Sequence, residues 1–390
     1  MDVMKPWREE YLVYGAPYIG DEEKREIQEC LASGWVGSGP RVKQFEEQFL
    51  AYKGTKLAVA LNSGTAALFM ALKSLKLSPG AEVITSAMTF CATANAIVNA
   101  GYTPVIVDCE LDSKNIDPQA IAAAVTSRTE AIIPVHFAGQ PCDMDAIMVL
   151  AQRHSLAVIE DCAHAIEARF RGRHCGTFGE FGCFSFYVTK NVTTVEGGML
   201  ITERDDLGDR LRSNALHGLS KDAWHRFSDK GYVHYEVFEP GHKCNLTDLA
   251  ASMGIHQLAR VEEGHARRQE LWDYYLEELA DLPLMLPQSV SVEHTHALHL
   301  FSCLVDPEST EVTRDEVLAA MHGLKIGTGV HYTALHKHPF YEKHFPPQSG
   351  ALPNAEFIGE RTFSIPLSMA VSREDAGDVV RALRLIFEQS

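Results

Sequence analysis

Phe184-Ser185-Phe186-Tyr187-Val188-Thr189-Lys190-Asn191, continued by Val192 to Gly198, is the stretch on which the reading of this chain turns. The pattern predicts an aromatic strand over 181–187 that stops at a lysine in a polar turn. A glycine pair, Gly197 and Gly198, then leads into another apolar run, Met199-Leu200-Ile201. Burying an ammonium without a partner is expensive. The same burial lowers its pKa and makes the neutral amine available as a nucleophile. Taken alone, the stretch also fits an exposed lysine in a hairpin turn. Two upstream stretches separate the two readings.

In the first, Leu156-Ala157-Val158-Ile159 runs as a buried strand into Glu160 and Asp161, followed by Cys162-Ala163-His164. Acidic residues at the C-terminal end of a strand lie where α/β sheets bind ligands. In the second, Leu57 to Leu61 is followed by Asn62-Ser63-Gly64-Thr65-Ala66, which reads as strand, small polar turn and helix start. Free backbone N–H groups and the helix dipole make such a start a phosphate cradle. A lysine nucleophile, a lone aspartate and a phosphate cradle together are the parts of a pyridoxal 5'-phosphate (PLP) site.

At 390 residues the chain has room for one large and one smaller domain. Strands at 57–61, 82–85, 104–108, 131–135 and 156–160 alternate with helices at 66–75, 92–100, 118–125 and 144–154. That alternation predicts an α/β fold with a mainly parallel sheet covered on both faces. The runs at 181–187 and 199–202 follow without a helix between them, so the sheet is expected to be mixed. Upstream, Asp21 is expected to cap a helix that stops at Gly34, and Pro40 to open a second, as an N-terminal arm laid on the main domain. A poorly periodic excursion is expected at 221–239, then helix from Leu246 and a long helix over 257–282. The C-terminal part is read as a strand near 299–304, a helix from Thr313 or Arg314, a turn at Gly327–Gly329 and a last helix from Arg373. The large domain is placed at 1–260 and a smaller α+β domain at 261–390.

The net charge of -17 argues against a nucleic-acid partner, which needs a basic footprint. Nine cysteines without a CxxC pair point to reduced thiols and a cytoplasmic setting. No apolar run approaches the roughly 20 residues needed to span a bilayer. The histidines at 294–299 and at 336 and 338 fit no closed zinc set, so no metal is expected.

The segments GWVGSGP (from Gly34), NSGTAAL (from Asn62), EDCAHAIEARFRGR (from Glu160), SFYVTKNVTTVEGG (from Ser185), HKCNLTD (from His242) and GTGVHY (from Gly327) cover nearly the whole chain in order. In them the chain resembles the DegT-type nucleotide-sugar aminotransferases, a family of fold-type I PLP enzymes. The resemblance implies a PLP cofactor that passes through its pyridoxamine 5'-phosphate form. It implies transfer of an amino group, from L-glutamate, to a keto group on a nucleotide-linked sugar. It also implies a homodimer with shared active sites.

Residue by residue, the resemblance makes Lys190 the lysine that binds the cofactor and moves the proton. Asp161 becomes the partner of the pyridine nitrogen, while Glu160 is expected to point away. His164 falls beside the phenolic oxygen and Phe90 on the ring face. Gly64, Thr65 and Ser185 fall at the phosphate, as does Asn245 contributed by the other subunit. His331 would face the substrate. The residues themselves leave other readings open. Asp161 and Asn245 also suit helix caps; Phe90 could be core, Ser185 a solvent-facing strand residue and His164 a satisfied histidine. Histidine in place of Lys190 would mark a sugar dehydratase, and a regulatory protein could bind PLP without turnover. The sequence also departs from the family's Gly-Glu-Gly-Gly at Val195. A loop that needs positive φ there would be strained, because valine tolerates that conformation badly.

Overall fold

The computed structural model describes residues 6–219, 234–288, 291–348 and 350–388. Its centre is a seven-stranded sheet in the order β1-β9-β8-β5-β4-β2-β3. The strands are β1 (Leu57–Leu61), β2 (Glu82–Ser86), β3 (Thr103–Val107), β4 (Thr129–Ile133), β5 (Ala157–Asp161), β8 (Phe181–Ser185) and β9 (Gly198–Thr202). A small hairpin, β6 (Arg169–Phe170) with β7 (Arg173–His174), stands apart. The neighbours from β3 to β8 pair in parallel, whereas β9 pairs antiparallel to both β8 and β1. The sheet is therefore mixed, with β9 reversed.

Both faces are covered. Along β1, Ala58 and Ala60 face a layer of Phe45, Phe49, Phe184 and Phe186, while Leu57, Val59 and Leu61 face the opposite layer. The first layer is supplied by α2 (Pro40–Lys53) and α8 (Asp248–Ala259), which pack on each other, and α1 (Asp21–Ser33) packs on α8 in turn. The second includes α3 (Gly64–Leu75), α4 (Ala92–Asn99) and α7 (Gly208–Ala215), and a further core sits under α5 (Pro118–Ala124) and α6 (Met144–His154). Each buried Phe or Leu contributes about 1.5–3 kcal/mol relative to exposure, so these layers hold the strand ends in place.

The C-terminal part forms a separate antiparallel sheet of β10 (Leu284–Met285), β11 (Phe301–Val305) and β12 (Thr362–Ile365). Its core joins α9 (Val261–Glu278), α10 (Arg314–Gly323) and α13 (Arg373–Glu388). The short α11 (Pro339–His344) and α12 (Pro353–Arg361) pack into a core shared with Met88 and Phe137 of the large sheet's side.

Several sequence expectations shift. Gly20, not Asp21, caps α1; Glu23 Oε2 accepts from the Gly20 N–H at 2.9 Å and Asp21 is already helical. The aromatic strand ends at Ser185, because the Ser185 hydroxyl turns back to accept the Tyr187 N–H. The long helix expected over 257–282 is two, broken at Arg260, whose φ of -107° and ψ of 14° leave the helical range. The helix expected from Leu246 begins at Asp248 behind the Thr247 cap. The N-terminal arm is also shared between the two parts. Trp7 Nε1 donates to Asp378 of α13 at 2.7 Å, and the Gly327 N–H to the Leu12 carbonyl, while α1 and α2 pack on α8. Of the excursion expected at 221–239, residues 221–233 lie outside the described residues. β10, β12, α11 and α12 have no counterpart in the sequence reading; all are short.

Candidate active site

Four elements open onto one cleft of about 530 Å³ at the C-terminal ends of the parallel strands. Beyond β1, Ser63 caps α3, its hydroxyl accepting the Ala66 N–H at 3.1 Å. Two close approaches shape this corner. A Cβ on Gly64 would come within 2.8 Å of Ser185 Cβ, and one on Gly198 within 2.3 Å of the Ser63 carbonyl. Glycine at both positions therefore lets the first turn of α3 press against the end of β8. The backbone N–H groups of Gly64 and Thr65 thereby share the cleft with the Ser185 hydroxyl.

Asp161 ends β5 in the floor of the cleft. Its Oδ1 accepts the Ala163 N–H at 3.1 Å and its Oδ2 the Thr93 hydroxyl at 2.8 Å. Burial raises its pKa above the ordinary carboxylate value, against the pull of Ala163, Thr93 and Lys190. Glu160, one residue earlier, points away as expected. It is spent on His136 Nε2 and on the backbone N–H groups of Gly176, Phe178 and Gly179. His136, Glu160 and Cys162 do bring ligand-type atoms within 4.8 Å of one another, but those four donors already occupy both Glu160 oxygens.

Lys190 sits in the turn after β8, its N–H donating to the Tyr187 carbonyl at 2.9 Å. Burial lowers its pKa to about 8, although Asp161 pulls upward. Among the described residues no hydrogen bond restrains its Nζ. On the far wall lie Phe90, His164, His331 and Tyr332. His164 Nδ1 accepts the Ala138 N–H at 3.2 Å, so the ring hydrogen is on Nε2, 3.1 Å from the Tyr332 hydroxyl. Burial and the charge of Lys190 hold His164 well below its usual pKa and push His331 down to about 3, so both rings are neutral. His331 Nδ1 lies 2.9 Å from the Ser364 hydroxyl.

Of the residues singled out from the sequence, Lys190, Asp161, His164, Phe90, Gly64, Thr65, Ser185 and His331 thus meet in one cleft. Asn245 does not. It lines a separate hollow of about 370 Å³ with Ser38, Gly39 and Arg212, and its Nδ2 donates to Ser38 Oγ at 2.6 Å. Nor does it cap α8, a role taken by Thr247. A larger open depression of about 1130 Å³, around Met144, Met148 and Phe178, brings none of these residues together. The sequence reading missed Thr93 and Tyr332. Thr93 stands one helical turn after Phe90, and Tyr332 adjoins His331, so both could have been drawn in as neighbours of residues already chosen.

The cleft fits PLP by its donor set: backbone N–H groups and a hydroxyl at one end for a phosphate, a buried carboxylate for a ring nitrogen, and an unrestrained amine between. The sequence matches the DegT/DnrJ/EryC1/StrS aminotransferase family over residues 17–384. It is 46% identical over 378 residues to the spore coat polysaccharide biosynthesis protein SpsC of Bacillus subtilis (strain 168), covering 97% of each chain. The fold superposes on a Streptococcus pneumoniae protein assigned as a sugar aminotransferase, in its PLP form, with a TM-score of 0.90 and 28% identity over 97% of this chain and 99% of that one. It also superposes on DesI in the presence of its TDP-sugar product, with a TM-score of 0.86 and 30% identity over 97% and 93% of the two chains. The chain belongs to the DegT/DnrJ/EryC1/StrS aminotransferase family and is a PLP-dependent sugar aminotransferase of the fold-type I class.

Proposed function

We propose that this enzyme moves an amino group from L-glutamate to the keto group of a nucleotide-linked sugar, with Lys190 as the amine that carries the proton. The observation that carries the reading is the Lys190 side chain: desolvated, free of hydrogen bonds among the described residues, and facing Asp161 and the start of α3. When bound, PLP supplies an electron sink for the carbon that bears the nitrogen. Lys190, neutral in a good fraction of molecules near pH 8, takes a proton from that carbon and returns it. Asp161 keeps a proton on the ring nitrogen, and Thr93 and the Ala163 N–H hold the carboxylate in place for it. Gly64, Thr65 and Ser185 would hold the phosphate, Phe90 would cover a ring face, and the neutral His164 ring would serve the phenolic oxygen. Tyr332, whose pKa burial raises, stays protonated and adds a hydroxyl donor to the same wall. His331, neutral and tied back by Ser364, faces the sugar.

The enzyme works as a homodimer in which Asn245 serves the partner's phosphate site. Support comes from its place outside the lining of its own cleft, from the Thr247 cap that serves α8 without it, and from the exposed apolar residues beside it. Val36 and Leu249 adjoin each other there, 43% and 37% exposed, with Trp35 next to them at 46%. Nine free cysteines suit a reducing cytoplasm, and among the described residues no helix is long and apolar enough to cross a membrane. The test is to incubate the holoenzyme with ¹⁵N-labelled L-glutamate and a panel of keto-sugar nucleotides. Labelled nitrogen is expected in one sugar product. Loss of the visible cofactor band with no labelled sugar from any panel member counts against the acceptor; no change in the band counts against glutamate.

A further inference from the structure

Asn191 follows Lys190 directly, and its amide is held on three sides. Nδ2 donates to Glu167 Oε2 at 2.9 Å and to the Ala297 carbonyl at 2.8 Å. Both partners can only accept, so the amide has one orientation and Oδ1 remains as the acceptor. That oxygen lies 3.0 Å from His299 Nδ1, which must therefore carry the ring hydrogen. Glu167 is held in turn by Arg268 of α9, whose Nη2 donates to Oε1, and the pair is almost wholly buried at 3% and 1% side-chain exposure. A buried ion pair yields little net stability against an apolar filling of the same volume, and where it is kept it can fix an arrangement.

The arrangement extends to the far wall of the cleft. The His299 ring packs on the His164 ring with centroids 4.6 Å apart. The backbone N–H of His299 donates to the Ala138 carbonyl at 3.0 Å, and the Ala138 N–H is the group that sets the His164 tautomer. One amide thus touches the lysine turn, the loop after β5, the loop before β11 and, through His299, the histidine opposite Lys190.

We propose that Asn191 is a positioning residue: its locked amide fixes the lysine turn and the Nδ1–H form of His299, and so orients Lys190 and the His164 ring together. This rests on the reading of Lys190 as the proton-carrying amine. The residue acts through its neighbours and touches no reacting atom.

The test compares wild-type and Asn191→Leu holoenzymes in single turnover with saturating L-glutamate, or with whichever amino acid replaces it if the wild type refuses glutamate. Leucine keeps the volume and removes all three hydrogen bonds. The maximum rate should fall roughly 10²-fold, the cost of a small misplacement of a reacting group, while cofactor content and half-saturation by the donor stay unchanged. A wild-type rate with full cofactor overturns the proposal. The wild type supplies a second measurement that needs no variant to fold. Its histidine ¹⁵N resonances should show His299 protonated at Nδ1 and bare at Nε2, and a hydrogen on Nε2 would overturn the proposal equally. Lys190→Ala separates the two levels. If it still transaminates, the reading of Lys190 falls and takes this proposal with it. If it is inactive while Asn191→Leu is normal, the positioning role alone falls.

Discussion

Lys190 and Lys53 are both lysines taken out of water, and burial lowers each to about pKa 8. Their surroundings differ. Lys53, at the end of α2, donates to the Ile166 carbonyl at 2.7 Å and the Cys175 carbonyl at 3.2 Å, and lies 4.4 Å from the centre of the Phe184 ring. Its ammonium pins the loop after β5 to the core. Lys190 has a carboxylate across a cleft and, among the described residues, no such pin. A depressed pKa therefore does not mark the reacting lysine by itself; Lys114, which burial also lowers to about 8, again bonds a carbonyl, that of Ser302. What distinguishes Lys190 is an unrestrained amine beside a cavity.

The comparison breaks most visibly under substitution. Lys190→Ala should lose amino transfer by roughly 10⁶-fold, as removal of a nucleophile does elsewhere, and should lose the visible cofactor band while remaining folded. Lys53→Met should show the opposite: a lower melting temperature, because two buried carbonyls lose their donor, and an unchanged rate per folded molecule. Steady-state rates beside thermal melts decide both.

A smaller effect is expected at the partner of Lys190. Asp161→Asn keeps the shape and the Thr93 contact but cannot hold a proton on a ring nitrogen. Its half-reaction rate should fall on the order of 10²–10³-fold with cofactor still bound. Stopped-flow decay of the visible band measures this, and a wild-type rate would remove Asp161 from the chemistry.

The third contrast is one of pH. Lys53 is lowered in the folded protein from 10.5 to about 8. Below pH 8 it is charged both folded and unfolded, and the whole cost of burying that charge is present. As pH rises from 8 to 10.5 the folded protein sheds the proton first, so folding is favoured progressively. Relative to Lys53→Met, the wild type should gain up to about 3 kcal/mol across that window and nothing below it. Paired urea melts at several pH values give the difference directly.

The parts of the site that the sequence displayed are those built by local pattern. A buried strand followed by Ser63-Gly64-Thr65 has one physical outcome, a capped helix start, and β5 running into Asp161 has another. Lys190 was visible because a lysine interrupts two apolar runs. The rest arrives through tertiary contact. Tyr332 and His299 come from loops of the C-terminal part, and nothing in their immediate sequence states that they will meet His164. Asp21 misled because acidic residues suit both a cap and a first turn, and Gly20 could cap with its backbone alone. Arg260 breaks the helical pattern with no Gly or Pro at the break, and Gly264, four residues on, is helical.

The smallest predicted effect concerns the loop that carries Lys190 back into the sheet. Val195 adopts φ of 69°, a left-handed conformation that a β-branched side chain resists, and the residue is 54% exposed. Its N–H donates to the Thr193 hydroxyl at 2.9 Å, so the turn is fixed by hydrogen bonds and the side chain must follow. The helix that carries Lys53 contains no such residue. Strain of this kind costs on the order of 1–3 kcal/mol. Val195→Gly would relieve it but give back part through the greater freedom of glycine in the unfolded chain, about 1 kcal/mol. The net expectation is a gain on the order of 1 kcal/mol, read as a modest rise in melting temperature, with the half-reaction rate unchanged. A more stable but slower Val195→Gly would mean that the strained valine stiffens the lysine turn for its task. The difference between the two lysines would then extend to the backbone beneath them.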